Sequence, residues 1–292
     1  YGFNQGHATA YADVSYRSAY LRAHYPAAFL TARLPGSGGF HHPAIYLAEA
    51  TRLGVRVRPP HVNHSHRKFR LTFDGERPTL WLGLGQVRDL RRASVQAIVA
   101  GAPFADLRDL LSRISLQSKE VTHLIQCGAL DDMGESRAVM LAEAKEMVRA
   151  GSARQLAFGF GEKTAVSAET AAQRMAWESR LLGQPISVHP LELVRKQTAD
   201  DVPLRYLPRL RNQATTITAV RLPGWTGGSG SFVGDGETFV VAKWEKSVPK
   251  SAQKPPHWHP IRLRGHWRTA EWGNGWYAAA GVERRSAGEG WS

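Results

Sequence analysis

The 292-residue chain has a single cysteine, Cys127. One thiol excludes an intramolecular disulfide and any zinc site built from several cysteines, and it fits a reducing compartment such as the cytoplasm. Long apolar runs are missing as well. Each is broken by Arg, His or Gly well before the roughly 20 residues that a membrane span requires, so no membrane partner is expected. The opening Tyr1-Gly2-Phe3-Asn4-Gln5 has neither a basic start nor an apolar stretch, which excludes a secretory signal. The lack of an initial Met leads to the expectation that the chain starts inside a longer protein. Acidic residues are scarce: 25 Asp and Glu stand against 38 Lys and Arg, a formal charge of +13. An excess of that size favours polyanions over neutral small molecules as partners. The ends carry it, with +6 over residues 1–80 and +5 over 211–292, against 0 over 81–150 and +2 over 151–210. The alternative is an Arg-rich protein whose cations only solvate its surface.

What is present reads as a folded chain of two or three domains, because 42% apolar and 22% charged residues lie in the globular range. Tyr11, Val14, Leu21 and Tyr25 recur at helical spacing, and Pro26 and Pro43 each open a further helix. Phe69 to Phe73 and Leu80 to Leu82 alternate around Asp74-Gly75, which predicts a hairpin. Next comes an array of short helices joined by Gly-containing turns. Gln86 to Ala100 is predicted as one helix, a second starts at Pro103-Phe104, a third at Ser118, and a fourth runs over 134–150 with Ser136 as its cap. Residues 151–211 read as a connector containing a helix near 168–182. After Arg211 the texture turns to strand, with runs at 215–220, 237–244, 261–267 and 276–282 between Gly- and Pro-rich turns, which predicts a small barrel of OB type. The fold class is therefore α+β and multidomain.

Several segments carry a resemblance. Tyr1-Gly2-Phe3-Asn4-Gln5-Gly6-His7-Ala8, Val14-Ser15-Tyr16 and Leu21-Arg22-Ala23-His24-Tyr25-Pro26-Ala27 come first. Val57-Arg58-Pro59-Pro60-His61-Val62-Asn63, Leu82-Gly83-Leu84-Gly85 and Cys127-Gly128-Ala129-Leu130-Asp131 follow. Glu178 with Leu181-Leu182-Gly183, then Ser187-Val188-His189-Pro190-Leu191, close the series. In this order they resemble the C-family bacterial DNA polymerases, which include the replicative DNA polymerase III alpha subunit and its error-prone relative.

The resemblance implies a carboxy-terminal portion of such an enzyme. Residues 1–80 would be the end of the fingers region, 81–150 a helix-hairpin-helix domain, 151–211 a linker, and 212–292 an OB domain. It implies duplex and single-stranded DNA as partners, with the sliding clamp and other replisome subunits beside them. The palm, with its Mg2+ ions and dNTPs, would lie upstream, so no catalytic residue, resident metal or cofactor is expected of this chain. Asp131-Asp132 and Asp200-Asp201 read as helix or loop caps.

Asn4 and His7 keep the places of residues facing the incoming nucleotide, with helix capping as the other reading. Gln5 and Gly6 stand where Lys and Ser are common, which removes a cation suited to a triphosphate. Gln155-Leu156-Ala157-Phe158-Gly159-Phe160 is similar to a clamp-binding motif with one residue missing. In a helix-hairpin-helix unit, backbone amides at a helix amino end receive a phosphate. That role falls to Gly83, Leu84, Gly85 and Gln86, with Arg88, Arg91 and Arg92 adding charge. The turn at Gly128, followed by Asp131 and Asp132, reads as a packing element. In the barrel, Lys243 and Trp244, and Arg262 and Arg264 near Trp267, pair cations with aromatics as a single strand requires. Trp225, in the Gly-rich loop 223–230, is the favoured stacking residue among the tryptophans. Two rival readings stay open: a free-standing accessory DNA-binding protein derived from a polymerase, and a metal-dependent hydrolase using His61, His64 and His66 or the His257/His259 pair, expected on one strand face.

Overall fold

The computed structural model describes residues 4–34, 41–149, 167–197, 200–226, 228, 230–269 and 275–284. Helix α1 (Gln5–His24) is capped by Asn4, whose side chain accepts from the Gly6 amide at 3.0 Å. Its apolar residues make no continuous stripe, and none of its residues is buried. Helix α2 (Pro26–Arg33) and helix α3 (Pro43–Arg52) each start at a proline, whose fixed φ suits the first helical position. Glu49 of α3, 7% exposed, accepts from Arg22 of α1 at 2.7 Å and from Arg52 at 2.6 Å, which ties α1 to α3. Strands β2 (Arg70–Asp74) and β3 (Arg77–Trp81) form the predicted hairpin, and β1 (Arg56–Arg58) adds to β3 in parallel. Leu30, Leu47, Ala50, Leu80 and Leu82 pack between these helices and the sheet.

Helices α4 (Arg92–Gly101), α5 (Leu107–Arg113), α6 (Ser118–Gln126), α7 (Arg137–Arg149) and α8 (Ala171–Leu182) build the second core. Leu84, Ile98, Leu110, Leu124, Ile125 and Leu130 sit at its centre with no exposure. Each such side chain contributes about 1.5–3 kcal/mol by leaving water. Three helix starts differ from the sequence pattern. The helix read from Gln86 begins at Arg92, because Leu84–Gln86 is a separate 3-10 turn. The helix read from Pro103 begins at Leu107, because Asn63 holds Phe104 in the loop from both sides: its Oδ1 accepts from the Phe104 amide and its Nδ2 donates to the Phe104 carbonyl, both at 2.8 Å. The helix read from Gly134 begins at Arg137, after the Ser136 cap.

The last core is a closed five-stranded barrel of β4 (Ala214–Leu222), β5 (Ser231–Gly234), β6 (Phe239–Trp244), β7 (Pro260–Thr269) and β8 (Gly275–Arg284). Its order is β4-β5-β6-β8-β7, with β4 antiparallel to both β5 and β7 and with β6 parallel to β8. This is the Greek-key closure of an OB-type barrel. The short strand β5 was absent from the sequence reading. The register of β7 on β8 shifts between Arg264 and Gly265. A Cβ at Gly265 would lie 2.0 Å from the Ala278 carbonyl oxygen, so only glycine permits that approach. Leu204 and Leu207, on a 3-10 turn (Leu204–Arg209), pack into the barrel core beside Ile217, Val233, Leu263 and Tyr277. A smaller cluster of Ile45 with Val220, Leu222 and Phe232 joins α3 to the barrel. Among the described residues no helix is long and apolar enough to cross a membrane.

Candidate nucleic-acid interface

The approach to α4 is organised by two close contacts. The amides of Leu84 and Gly85 donate to the carbonyls of His66 (2.9 Å) and Arg67 (3.0 Å). A Cβ at Gly83 would lie 2.4 Å from the Arg67 oxygen, so this glycine lets two backbones meet. Gly83 and Gly85 therefore seat the loop on the β2 side of the protein. The Gln86 amide is likewise used, on the Gly83 carbonyl at 3.0 Å. The sharp turn into α4 comes later, at Asp89, whose φ is 60°.

The amino end of α4 carries an internal anion. Glu120, 1% exposed, accepts from the Arg91 amide and Nε (both 3.0 Å), from Arg91 Nη2 (2.7 Å) and from Ser94 Oγ (2.7 Å). Burial works to raise its pKa, but these bonds and the Gln117 amide bring it down to about 2. Arg91 is thereby committed to Glu120. Arg88 and Arg92 are exposed, and no ion pair involves either among the described residues. Asp89, between them in sequence, is held by Lys119 at 2.8 Å.

The second turn, at Gly128, is a packing element. Arg137, 1% exposed, donates from Nε and Nη2 to Asp131 at 2.8 and 2.6 Å, and its Nη1 lies 2.9 Å from Glu178. Glu178 is fully buried and also accepts from the amides of Ile186 and Ser187. Burial opposes the Arg137 charge, yet Asp131 and Glu178 hold it firmly protonated. Asp131 is thus unsuited to hold Mg2+. Asp201 is similarly committed, to Arg262 at 2.7 Å and to the Thr218 hydroxyl.

On the barrel, Trp225 is 63% exposed in the loop between β4 and β5, whereas Trp267 is 7% exposed and belongs to the core. Trp244 is half-buried against that core. The Lys243 ammonium sits 4.1 Å above the Trp276 ring, Arg264 is exposed, and Arg262 carries the Asp201 carboxylate. At the other end of the chain, Asn4 caps α1, and His7 packs edge-on against Tyr11 at 4.5 Å. The segment with Gln155, Leu156, Phe158 and Phe160 lies outside the described residues, as does Trp272.

The histidines do not converge on a metal. His61 Nδ1 accepts from the Asn63 amide and its Nε2 bonds the Asp131 carbonyl at 2.9 Å, so both ring nitrogens are used. His64 stacks on Trp81 with ring centroids 4.6 Å apart. His257 and His259 precede β7 instead of sharing a strand face, because Trp258 between them has φ 64°. No group of three or more His, Cys, Asp or Glu suited to a metal occurs among the described residues. The sequence reading missed Glu120 and Arg137: a charge inside an amphipathic helix gives no sign that its partner lies on another helix.

Residues 54–140 match the helix-hairpin-helix motif family. The chain is 29% identical to DNA polymerase III subunit alpha of Vibrio cholerae over 75% of its own length and 21% of that protein's. It is 33% identical to the Bacillus subtilis subunit over 68% of this chain and 19% of that one. It is 37% identical to the Thermus aquaticus subunit over 51% and 12%. The chain therefore spans about a fifth or less of the length of the curated relatives it matches. Among solved structures, asparaginyl-tRNA synthetase from Pyrococcus horikoshii is similar over 29% of this chain and 22% of that one, at 17% identity and a TM-score of 0.26. With its helix-hairpin-helix region followed by a closed barrel, the chain is a relative of the C-family bacterial DNA polymerases that fits a carboxy-terminal portion of the DNA polymerase III alpha subunit.

Proposed function

We propose that this chain is the DNA-holding carboxy-terminal part of a C-family DNA polymerase, serving replication or translesion synthesis. It grips duplex primer-template through the helix-hairpin-helix region and single-stranded template through the barrel, while an upstream palm performs nucleotidyl transfer. The observation that carries this reading is the exposed pair Arg88 and Arg92, which make no ion pair among the described residues, at the entrance to α4 inside the matched motif. Phosphate contacts of this kind position DNA without reading its sequence. On the barrel, Trp225 offers a stacking face, and Lys243 and Arg264 supply charge. Residues 155–160 are the candidate clamp contact, and residues 1–80, 81–150, 151–211 and 212–292 are the working divisions. Mg2+ and dNTPs belong to the palm in this reading, because Asp131 and Asp201 are locked onto arginines.

Fluorescence anisotropy with labelled primer-template, duplex and single-stranded DNA at several salt concentrations tests it. Binding that weakens steeply with salt is expected, and each of Arg88→Gln and Arg92→Gln should reduce the duplex salt slope by about 0.9. Absence of binding to all three probes at low salt would overturn the proposal.

A further inference from the structure

Where α3 meets the barrel, an arginine and two histidines come together without an acid. Arg221 lies on β4 next to its last residue, Leu222, and the Trp225 loop leaves from there. Its Nη1 donates to the Pro255 carbonyl at 2.9 Å, while its Nε is buried with no hydrogen-bond partner. A backbone bridge sets His257 beside Arg221, and the Trp258 amide donates to the Arg221 carbonyl at 2.9 Å. From the other side comes His42, at the amino end of α3. Its Nδ1 accepts from the Ala44 amide at 3.2 Å, which leaves Nε2–H as the ring's donor. Ile45, three residues on, packs beside Gly224 and Phe232 and so seats this end of α3 on the barrel.

No carboxylate pairs with Arg221, His42 or His257 among the described residues. A buried donor left unsatisfied on a charged group is costly and calls for an ion or another partner. Burial lowers the pKa of all three groups, and for His257 the charges of Arg221 and His42 add repulsion. An anion seated among them would remove that repulsion.

We propose that Arg221, His257 and His42 form a phosphate-binding cluster at the foot of the Trp225 loop, which takes a backbone phosphate of single-stranded DNA as a neighbouring base reaches Trp225. This rests on the DNA-holding reading above and adds to it an anchor outside the helix-hairpin-helix region. The same chemistry would accept free phosphate, so the test uses both sources. The imidazole resonances of the full-length chain, assigned with His42→Gln and His257→Gln, are followed by NMR during titration with a dT oligonucleotide and, separately, with inorganic phosphate.

Movement of both His42 and His257 with the oligonucleotide is expected, together with a roughly five-fold loss of oligonucleotide affinity in Arg221→Gln and a salt slope smaller by about 0.7. Arg221→Lys, which keeps the charge, should recover most of the affinity and guards against a folding defect. Movement with inorganic phosphate alone would overturn the DNA assignment, leaving a free-phosphate site. Movement with neither probe, or unchanged affinity and slope in Arg221→Gln, would overturn the cluster. If the wild-type chain binds no DNA, the DNA-holding reading fails, while the inorganic phosphate titration still decides the site.

Discussion

At Glu120, one buried carboxylate performs the task that a bound anion performs elsewhere at a helix amino end. It satisfies the Arg91 amide, the Arg91 guanidinium and the Ser94 hydroxyl together. Its folded pKa of about 2 lies below the ordinary 4.5, so its stabilisation is complete above pH 4.5 and is lost as pH falls through about 2. Glu120→Gln should cost about 2 kcal/mol in urea unfolding at neutral pH, since hydrogen bonds to a charged group are lost. The gap between variant and wild type should narrow steadily from pH 5 to pH 2. A second residue-scale test concerns Gly83. Adding a methyl group there brings it against the Arg67 oxygen, and Gly83→Ala should destabilise by about 2 kcal/mol, as overpacking does. Thermal unfolding of the purified variant checks this.

Among the elements, the barrel separates its tryptophans by role. Trp225→Ala should lower single-stranded DNA affinity by about 1–3 kcal/mol with an unchanged melting temperature. Trp267→Ala should cost about 3–5 kcal/mol of stability, because its ring fills the core. The two readouts, anisotropy and calorimetry, should move in opposite variants. Strand and helix periodicity made most elements legible in the sequence. The hairpin around Asp74-Gly75 and four of the five barrel strands are where alternation placed them. Strand β5 escaped because its four residues, Ser231–Gly234, are all buried and end in glycine, so no alternation marks them. The start of α4 escaped for a different reason. Gly83-Leu84-Gly85 has the composition of a hairpin turn, but the Leu84 and Gly85 amides are bound by the carbonyls of His66 and Arg67, and only long-range contacts decide that. The turn that does open α4 uses Asp89 at positive φ, a position where sequence alone favours glycine.

For the molecule as a whole, the ion network at Arg137 links the second turn of the helical array to the connector after α8. Glu178 is its centre, accepting from Arg137, Ile186 and Ser187. Glu178→Ala leaves a buried guanidinium short of a partner and should cost about 3 kcal/mol in chemical denaturation. The network was invisible in the sequence because Glu178, on α8, is far along the chain from Asp131 and Arg137. Charge distribution, by contrast, was readable at once, and the most basic segments are the first 80 residues and the barrel.

The seam between α3 and the barrel has a consequence for how the chain comes to be folded. Ile45 belongs to the first fifth of the sequence, while Val220, Leu222 and Phe232 belong to the last third. Contacts so distant along the chain form late, because the entropy of closing the intervening loop must be met before they reward it. During synthesis, α3 therefore waits with Ile45 uncovered while the helical array, rich in local contacts, assembles behind it. The barrel then docks last, and only at that moment does His42 come within electrostatic reach of His257.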